Sequence, residues 1–201
     1  QFLNPAINQR DDEYGGTLEN RMRFIEEIAF AVRARVGDDF IVGLRLSGDE
    51  RDAEAIDQNE VIAVCKALDQ SNAYDYYHVI AGTSASLQGA IHIVPPMYYE
   101  TAYVAPFASK VKARVKAPVM VTGRINQPQI AEQILSEGRA DFCGMTRALI
   151  ADPEMPNKAH ANRLDDIRAC IACNQACIGH FHKGYPISCI QYPETGRELT
   201  L

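Results

Sequence analysis

Four cysteines, Cys170, Cys173, Cys177 and Cys189, fall in the spacing C-x2-C-x3-C-x11-C. Thiolates in such a cluster can cross-link, bind zinc or hold an iron–sulfur centre. A disulfide framework is expected in a secreted chain, and nothing else here looks secreted. Three thiols so close together suit a metal better than two bridges. Structural zinc usually takes two separated ligand pairs, whereas one C-x-x-C is followed here by two single cysteines. His180 and His182 are further zinc donors, but Cys189 already supplies a fourth ligand. Three clustered thiolates plus a remote one is a ferredoxin-like way to hold a [4Fe–4S] cube. The spacing favours the cube and leaves zinc and disulfides open. The other two cysteines, Cys65 and Cys143, lie in apolar contexts and read as buried small hydrophobes.

Cations form the second set. Arg45 interrupts an apolar run, Gly43-Leu44-Arg45-Leu46. It either reaches a salt bridge in a loop or faces a bound anion or an electron-rich ring. Gly123-Arg124 and Gly144-Met145-Thr146-Arg147 each follow a short apolar stretch. Glycine lets a phosphate approach the backbone, and arginine adds charge-assisted hydrogen bonds. Two such turns in neighbouring units match the phosphate site that barrels build after their last two strands. No G-x-G-x-x-G follows a strand, so the dinucleotide fingerprint is absent. Gly82-Thr83-Ser84-Ala85-Ser86 lacks the lysine of a phosphate-binding loop, and neither serine sits in a G-x-S-x-G elbow.

The elements that must position these groups alternate. Thr17 is an N-cap signal for a helix whose apolar positions run Leu18, Met22, Ile25, Ile28, Ala29, Val32 and Val36, up to Gly37. Phe40–Leu46 reads as a buried parallel strand. A helix follows with Val61, Val64, Cys65 and Leu68 on one face. Residues 76–81 read as a strand, 82–96 as a long loop, 102–115 as a helix and 119–122 as a strand. Pro128 opens a helix closed by Gly138, and residues 141–145 form a last strand. Gly179, Gly184 and Pro186 are expected to keep the cysteine segment in loop conformation. Strand–helix alternation implies parallel strands with crossover helices. Four strands fit either part of a (β/α)8 barrel or a small doubly wound sheet.

The chain is 47% hydrophobic and 23% charged, which excludes disorder. A net charge of −6 argues against a nucleic-acid partner. No apolar run is long enough to span a membrane. An acidic surface with reduced thiols suits the cytoplasm. The start at Gln1-Phe2-Leu3 reads as a processed chain or a fragment.

Beyond these readings, Gln1-Phe2-Leu3-Asn4-Pro5, Asn8-Gln9-Arg10, Asp12-Glu13-Tyr14-Gly15-Gly16 and Glu19-Asn20-Arg21-x-Arg23-Phe24 resemble the segment after barrel strand 4 in the old yellow enzyme family. The cysteine spacing is similar to that of its iron–sulfur branch, which holds 2,4-dienoyl-CoA reductase and trimethylamine dehydrogenase. The resemblance implies an α/β fold: the C-terminal half (strands 5–8) of a (β/α)8 TIM barrel, residues 1–164, followed by a [4Fe–4S]-binding cysteine loop, residues 165–201. It implies FMN, held by Arg45 at the ring and by Gly123, Arg124, Thr146 and Arg147 at the phosphate. Cys170, Cys173, Cys177 and Cys189 would ligate the cluster. FAD and NAD(P)H would be handled by domains absent from this chain, and the rest of the parent chain would close the barrel.

The implied activity is that of an NAD(P)H:flavin oxidoreductase of the enoate or 2,4-dienoyl-CoA reductase type. Oxidation of an N-methyl amine is the alternative, and a zinc-binding structural module the alternative of another class. The substrates would be an enoyl or dienoyl thioester, or an N-methyl amine. The resemblance implies a proton-donating His in the loop 82–96, where the family's motif is not recognisable and His92 is the only histidine; its plain reading is a loop residue without a role. Phe181 stands four residues after the third cysteine, where trimethylamine dehydrogenase has a tryptophan of its aromatic bowl. With Tyr98 or Tyr99 it would offer a cation–π contact to a methylated amine.

Overall fold

The computed structural model describes residues 1–200. Four strands, β1 (Gly43–Asp49), β2 (Tyr76–Ala81), β3 (Val119–Thr122) and β4 (Phe142–Gly144), form one parallel sheet in the order β1-β2-β3-β4. The order never reverses, which is the behaviour of a barrel arc and not of a doubly wound sheet.

Side-chain alternation separates the two faces. Leu46, Val79 and Val121 stand side by side in register and are buried. They pack with Val61, Val64, Cys65 and Leu68 of α2 (Gln58–Gln70) and with Ala105, Ala108 and Val111 of α4 (Ala105–Lys112). Ala131 and Ile134 of α5 (Pro128–Ser136) extend this core. Cys65 is thus the buried hydrophobe that its context predicts, while Cys143 is only partly buried. The next row, Arg45, His78, Met120 and Phe142, points to the opposite face. That face is open, with Phe142 51% exposed.

The first helix, α1 (Leu18–Val36), starts where Thr17 accepts the amide of Asn20 and stops at Gly37. Its expected apolar face is only partly used. Met22 and Ala29 are buried, whereas Ile28, Val32 and Val36 remain exposed. Arg21 is buried instead and pairs with Glu60 of α2 at 2.6 Å.

Other boundaries differ from the sequence reading. Phe40 and Ile41 lie outside β1 and are exposed, because Asp75 holds Arg33 and the Val42 amide just before the strand begins. The loop after β2 contains a helix, α3 (Leu87–Ile93), capped by the Ser86 hydroxyl. The helix expected from residue 102 begins at Ala105. Ala102 has φ 58°, and its amide is bonded to the Arg124 carbonyl. After β4 come α6 (Thr146–Ala151) and α7 (Met155–His160).

The cysteine segment is not all loop. Gln175–Gly179 forms a wide π-helical turn, closed by Gly179 N–H on the Asn174 carbonyl, and His180–His182 adds one α-helical turn. Among the described residues no helix is long and apolar enough to cross a membrane.

Candidate functional site

The C-terminal strand ends surround a cavity of about 270 Å³. Its wall brings together Arg45, His92, Gly123, Arg124, Thr146 and Arg147. Cys170, Cys177 and Phe181 also line it.

Arg45 is exposed on the open face, opposite His78 in the β1–β2 register. It makes no ion pair or side-chain hydrogen bond among the described residues, so the loop salt bridge considered from the sequence is absent there. His78 reaches the Thr122 hydroxyl at 2.7 Å. Burial, and then the Arg45 charge, hold the His78 imidazole below its ordinary value. The sequence reading missed His78, although strict alternation with Tyr77 and Val79 puts it on the face of Arg45.

Gly123 and Arg124 turn the chain away from β3. Gly123 has φ 153°, and a Cβ there would lie 2.2 Å from Val104 Cγ2. Arg124 Nε donates to the Tyr99 carbonyl at 3.1 Å. Its two Nη groups have no protein partner among the described residues and are free to meet an anion. Thr146, at the start of α6, is exposed. Arg147 is turned differently. Its Nη1 donates to the Pro95 carbonyl at 2.9 Å and to Asn174 Oδ1 at 2.7 Å. Burial lowers its affinity for the proton, and the thiols of Cys170 and Cys177 oppose that shift.

A second, smaller cavity of about 20 Å³ is lined by all four clustered cysteines. It shares Arg147, Ile150, Cys170, Ala172 and Cys177 with the first. No cysteine is paired in a disulfide among the described residues. Among those residues no group of three or more His, Cys, Asp or Glu side chains is placed to hold one metal ion. Thiols spread around a void suit a multi-atom cluster, whereas a single zinc needs donors converging at roughly 2.3 Å. Backbone amides already aim at sulfur: Ala172 N–H meets Cys170 Sγ, and Gln191 N–H meets Cys189 Sγ, each at 3.4 Å. Such bonds stabilise sulfur-borne charge. His180 uses Nδ1 on the Pro186 carbonyl at 2.9 Å.

Asn126 was not singled out from the sequence. Its Nδ2 donates to the Cys170 carbonyl at 2.8 Å, and its Oδ1 is buried without a partner. It lines the first cavity, so a ligand donor there would satisfy that oxygen.

His92 is not a surface loop residue. It is buried at 7% exposure near the end of α3. Tyr103 Oη donates to the His92 carbonyl at 3.1 Å and lies 3.2 Å from His92 Nδ1. With its proton on the carbonyl, the hydroxyl accepts from Nδ1–H, which leaves Nε2 with a lone pair. Burial and the nearby Arg51 push the His92 imidazole down, and Asp49 opposes them.

The aromatic residues considered for a cation–π contact take different positions. Tyr98 is 90% exposed, and Tyr99 stacks edge-on to His92 with centroids 4.6 Å apart. Phe181 lines the cavity with 66% of its surface exposed and contacts His182.

Relatives carry the same arrangement of chain. A metal reductase of Desulforamulus reducens is 41% identical over 100% of this chain and 29% of its own. An N,N-dimethylglycine/sarcosine dehydrogenase of Chromohalobacter salexigens is 37% identical over 98% of this chain and 28% of its own. A solved 2-naphthoyl-CoA reductase complex superposes with a TM-score of 0.90 at 33% identity, covering 98% of this chain and 29% of that one. The chain therefore spans about three tenths of the length of these relatives. The family model for NADH:flavin oxidoreductases and NADH oxidases matches residues 1–166, from the polar head through β4 to the approach to the cysteines. This chain belongs to the NADH:flavin oxidoreductase / NADH oxidase family.

Proposed function

We propose that residues 1–164 supply strands 5–8 of an FMN-binding (β/α)8 barrel, and that residues 165–201 supply the ligands of a [4Fe–4S] cluster in a flavin-dependent oxidoreductase. The observation that carries this reading is the wall common to the two cavities, built from Cys170, Ala172, Cys177 and Arg147. When bound, FMN supplies hydride chemistry and the cluster carries single electrons. Arg45, without a side-chain partner among the described residues, is assigned to the electron-rich edge of the flavin ring. Gly123, the free Nη groups of Arg124, Thr146 and Arg147 are assigned to its phosphate. Cys170, Cys173, Cys177 and Cys189 are the cluster ligands. Segments outside this chain are proposed to complete the barrel over the open row of Arg45, His78, Met120 and Phe142, and to handle FAD and NAD(P)H.

The substrate is a small molecule. Reduction of an enoyl or dienoyl thioester is one reading, and 2-naphthoyl-CoA reductase is a structural relative of that chemistry. The His92 geometry favours the other, oxidation of an N-methyl amine. A protonated amine must lose its N–H proton before it can be oxidised. His92, neutral and with Nε2 unshared, is a base for that proton. The dimethylglycine/sarcosine dehydrogenase relative works on substrates of this kind. In this reading Phe181 packs against the substrate methyl groups.

The test is an anaerobic absorption spectrum of the full-length protein, with iron and sulfide assays. Flavin bands over a broad iron–sulfur shoulder, bleached by an N-methyl amine, are expected. A colourless zinc protein would overturn the flavoenzyme reading. Bleaching by NADH alone would return the substrate to the enoate class.

A further inference from the structure

We propose that Asn174 and Arg147 make the cysteine segment the seat of the loop that carries His92, so that loading the cluster orders the substrate side of the cavity. The inference rests on the reading of the four cysteines as cluster ligands and adds a second task to them.

The argument begins at the end of α3. The last carbonyls of a helix lack partners within it, and Pro95-Pro96 forbids continuation. Two of the carbonyls at this end find partners far away in sequence. Val94 O accepts from Asn174 Nδ2 at 2.8 Å, and Pro95 O accepts from Arg147 Nη1 at 2.9 Å. The two donors are themselves joined, because Arg147 Nη1 also reaches Asn174 Oδ1 at 2.7 Å. His92 lies two and three residues before the carbonyls so held. The triangle therefore fixes the C-terminal end of the short helix that presents His92 to the cavity.

Asn174 can do this only while the cysteine segment is folded. It sits between Cys173 and Cys177 with φ 58°, a left-handed conformation that asparagine tolerates better than most side chains. Without a cluster, the cysteine segment keeps only a few hydrogen bonds, among them Asn126 to Cys170, Gln191 to Ala169 and Thr195 to Ile150, and no bond ties its four thiols to one another. The backbone turn at Asn174 then loses its reason to persist, and the two carbonyls lose their donors. Metal binding of this kind is coupled to folding. The coupling is reciprocal, so weakening the triangle also weakens cluster retention.

The experiment uses the full-length, FMN-loaded protein and follows amide exchange of residues 86–96 by mass spectrometry. Cluster-loaded protein is compared with protein stripped by a chelator and oxidant, and with Asn174→Gly and Asn174→Asp, each assayed for iron and sulfide. Glycine keeps the left-handed turn and removes both side-chain bonds. Aspartate keeps the acceptor for Arg147 and removes the donor to Val94. Two lost hydrogen bonds of about 1 kcal/mol each correspond to roughly thirtyfold faster exchange. The expected result is that increase in stripped protein and in Asn174→Gly, a smaller one in Asn174→Asp, and a raised KM with little change in kcat in cluster-bearing variants. Unchanged exchange at 86–96 in stripped wild-type protein would overturn the proposal, even if Asn174→Gly loses its iron. Wild-type protein without iron and sulfide would sink the cluster reading itself, and this inference with it.

Discussion

The side-chain amide of Asn126 donates to the carbonyl of Cys170 at 2.8 Å, bridging the turn after β3 and the first cysteine of the segment. The bond joins the wall of the first cavity to a cysteine that lines the second. Asn126→Ala is expected to cost about 1 kcal/mol, the usual net worth of such a bond. In cluster-bearing full-length protein it should also speed iron loss to a chelator. Equal stability and equal iron loss in variant and wild type would show that the bond does nothing.

Arg45 has no protein partner among the described residues, so its charge is available to a ligand. Arg45→Ala is expected to weaken FMN binding roughly tenfold or more, with partial recovery in Arg45→Lys. Flavin fluorescence on reconstitution of the full-length protein measures this. A structural zinc module predicts no effect.

The imidazoles of half-buried His78 and buried His92 give a pH signature. Burial holds both His78 and His92 below the ordinary value of 6.5, so the unfolded chain binds more protons in the window just below it. Their contribution to stability is complete above 6.5 and is lost as pH falls toward the lowered folded values. Thermal unfolding across that window should show Tm falling with pH, and His78→Gln should flatten the slope. A slope of opposite sign would mean that these rings are charged in the folded protein.

A Cβ on Gly144 would lie 2.1 Å from Thr122 Oγ1, the atom that His78 engages. Gly144→Ala is expected to cost roughly 1–3 kcal/mol, as overpacking does. Denaturant titration reads the loss, and the His78 ring resonances should move with it.

Cys65 is completely buried, and burial pushes its thiol up to about 12. It should resist alkylation at neutral pH until the protein unfolds. Labelling of Cys65 in native protein would show that α2 opens.

Much of this was legible in the sequence, because it depends on local chemistry. The Thr17 cap, the Pro128 start and the apolar face of α2 are set by residues close together in the chain. The four cysteines announce a common site because three of them are neighbours. What was hidden depends on distant partners. Nothing local to Val94 says that Asn174 will cap it, and nothing local to His92 says that Tyr103 will bury it. Arg147 looks like Arg124 as a Gly-to-Arg turn, yet the folded chain spends one on Asn174 and leaves the other's Nη groups free. Ser86 was a readable cap, obscured by the glycine and proline around it.

The cysteine segment has almost no regular structure and is held by bonds to distant parts of the chain, from Asn174 to Val94, Thr195 to Ile150 and Cys170 to Asn126. A ribosome makes these partners, Val94, Asn126 and Ile150, before it makes the thiols. The βα units can therefore collapse first on their own short-range contacts, and the sulfurs arrive at a surface already shaped for them. Such an order of birth leaves little time for four thiols to meet the wrong partner.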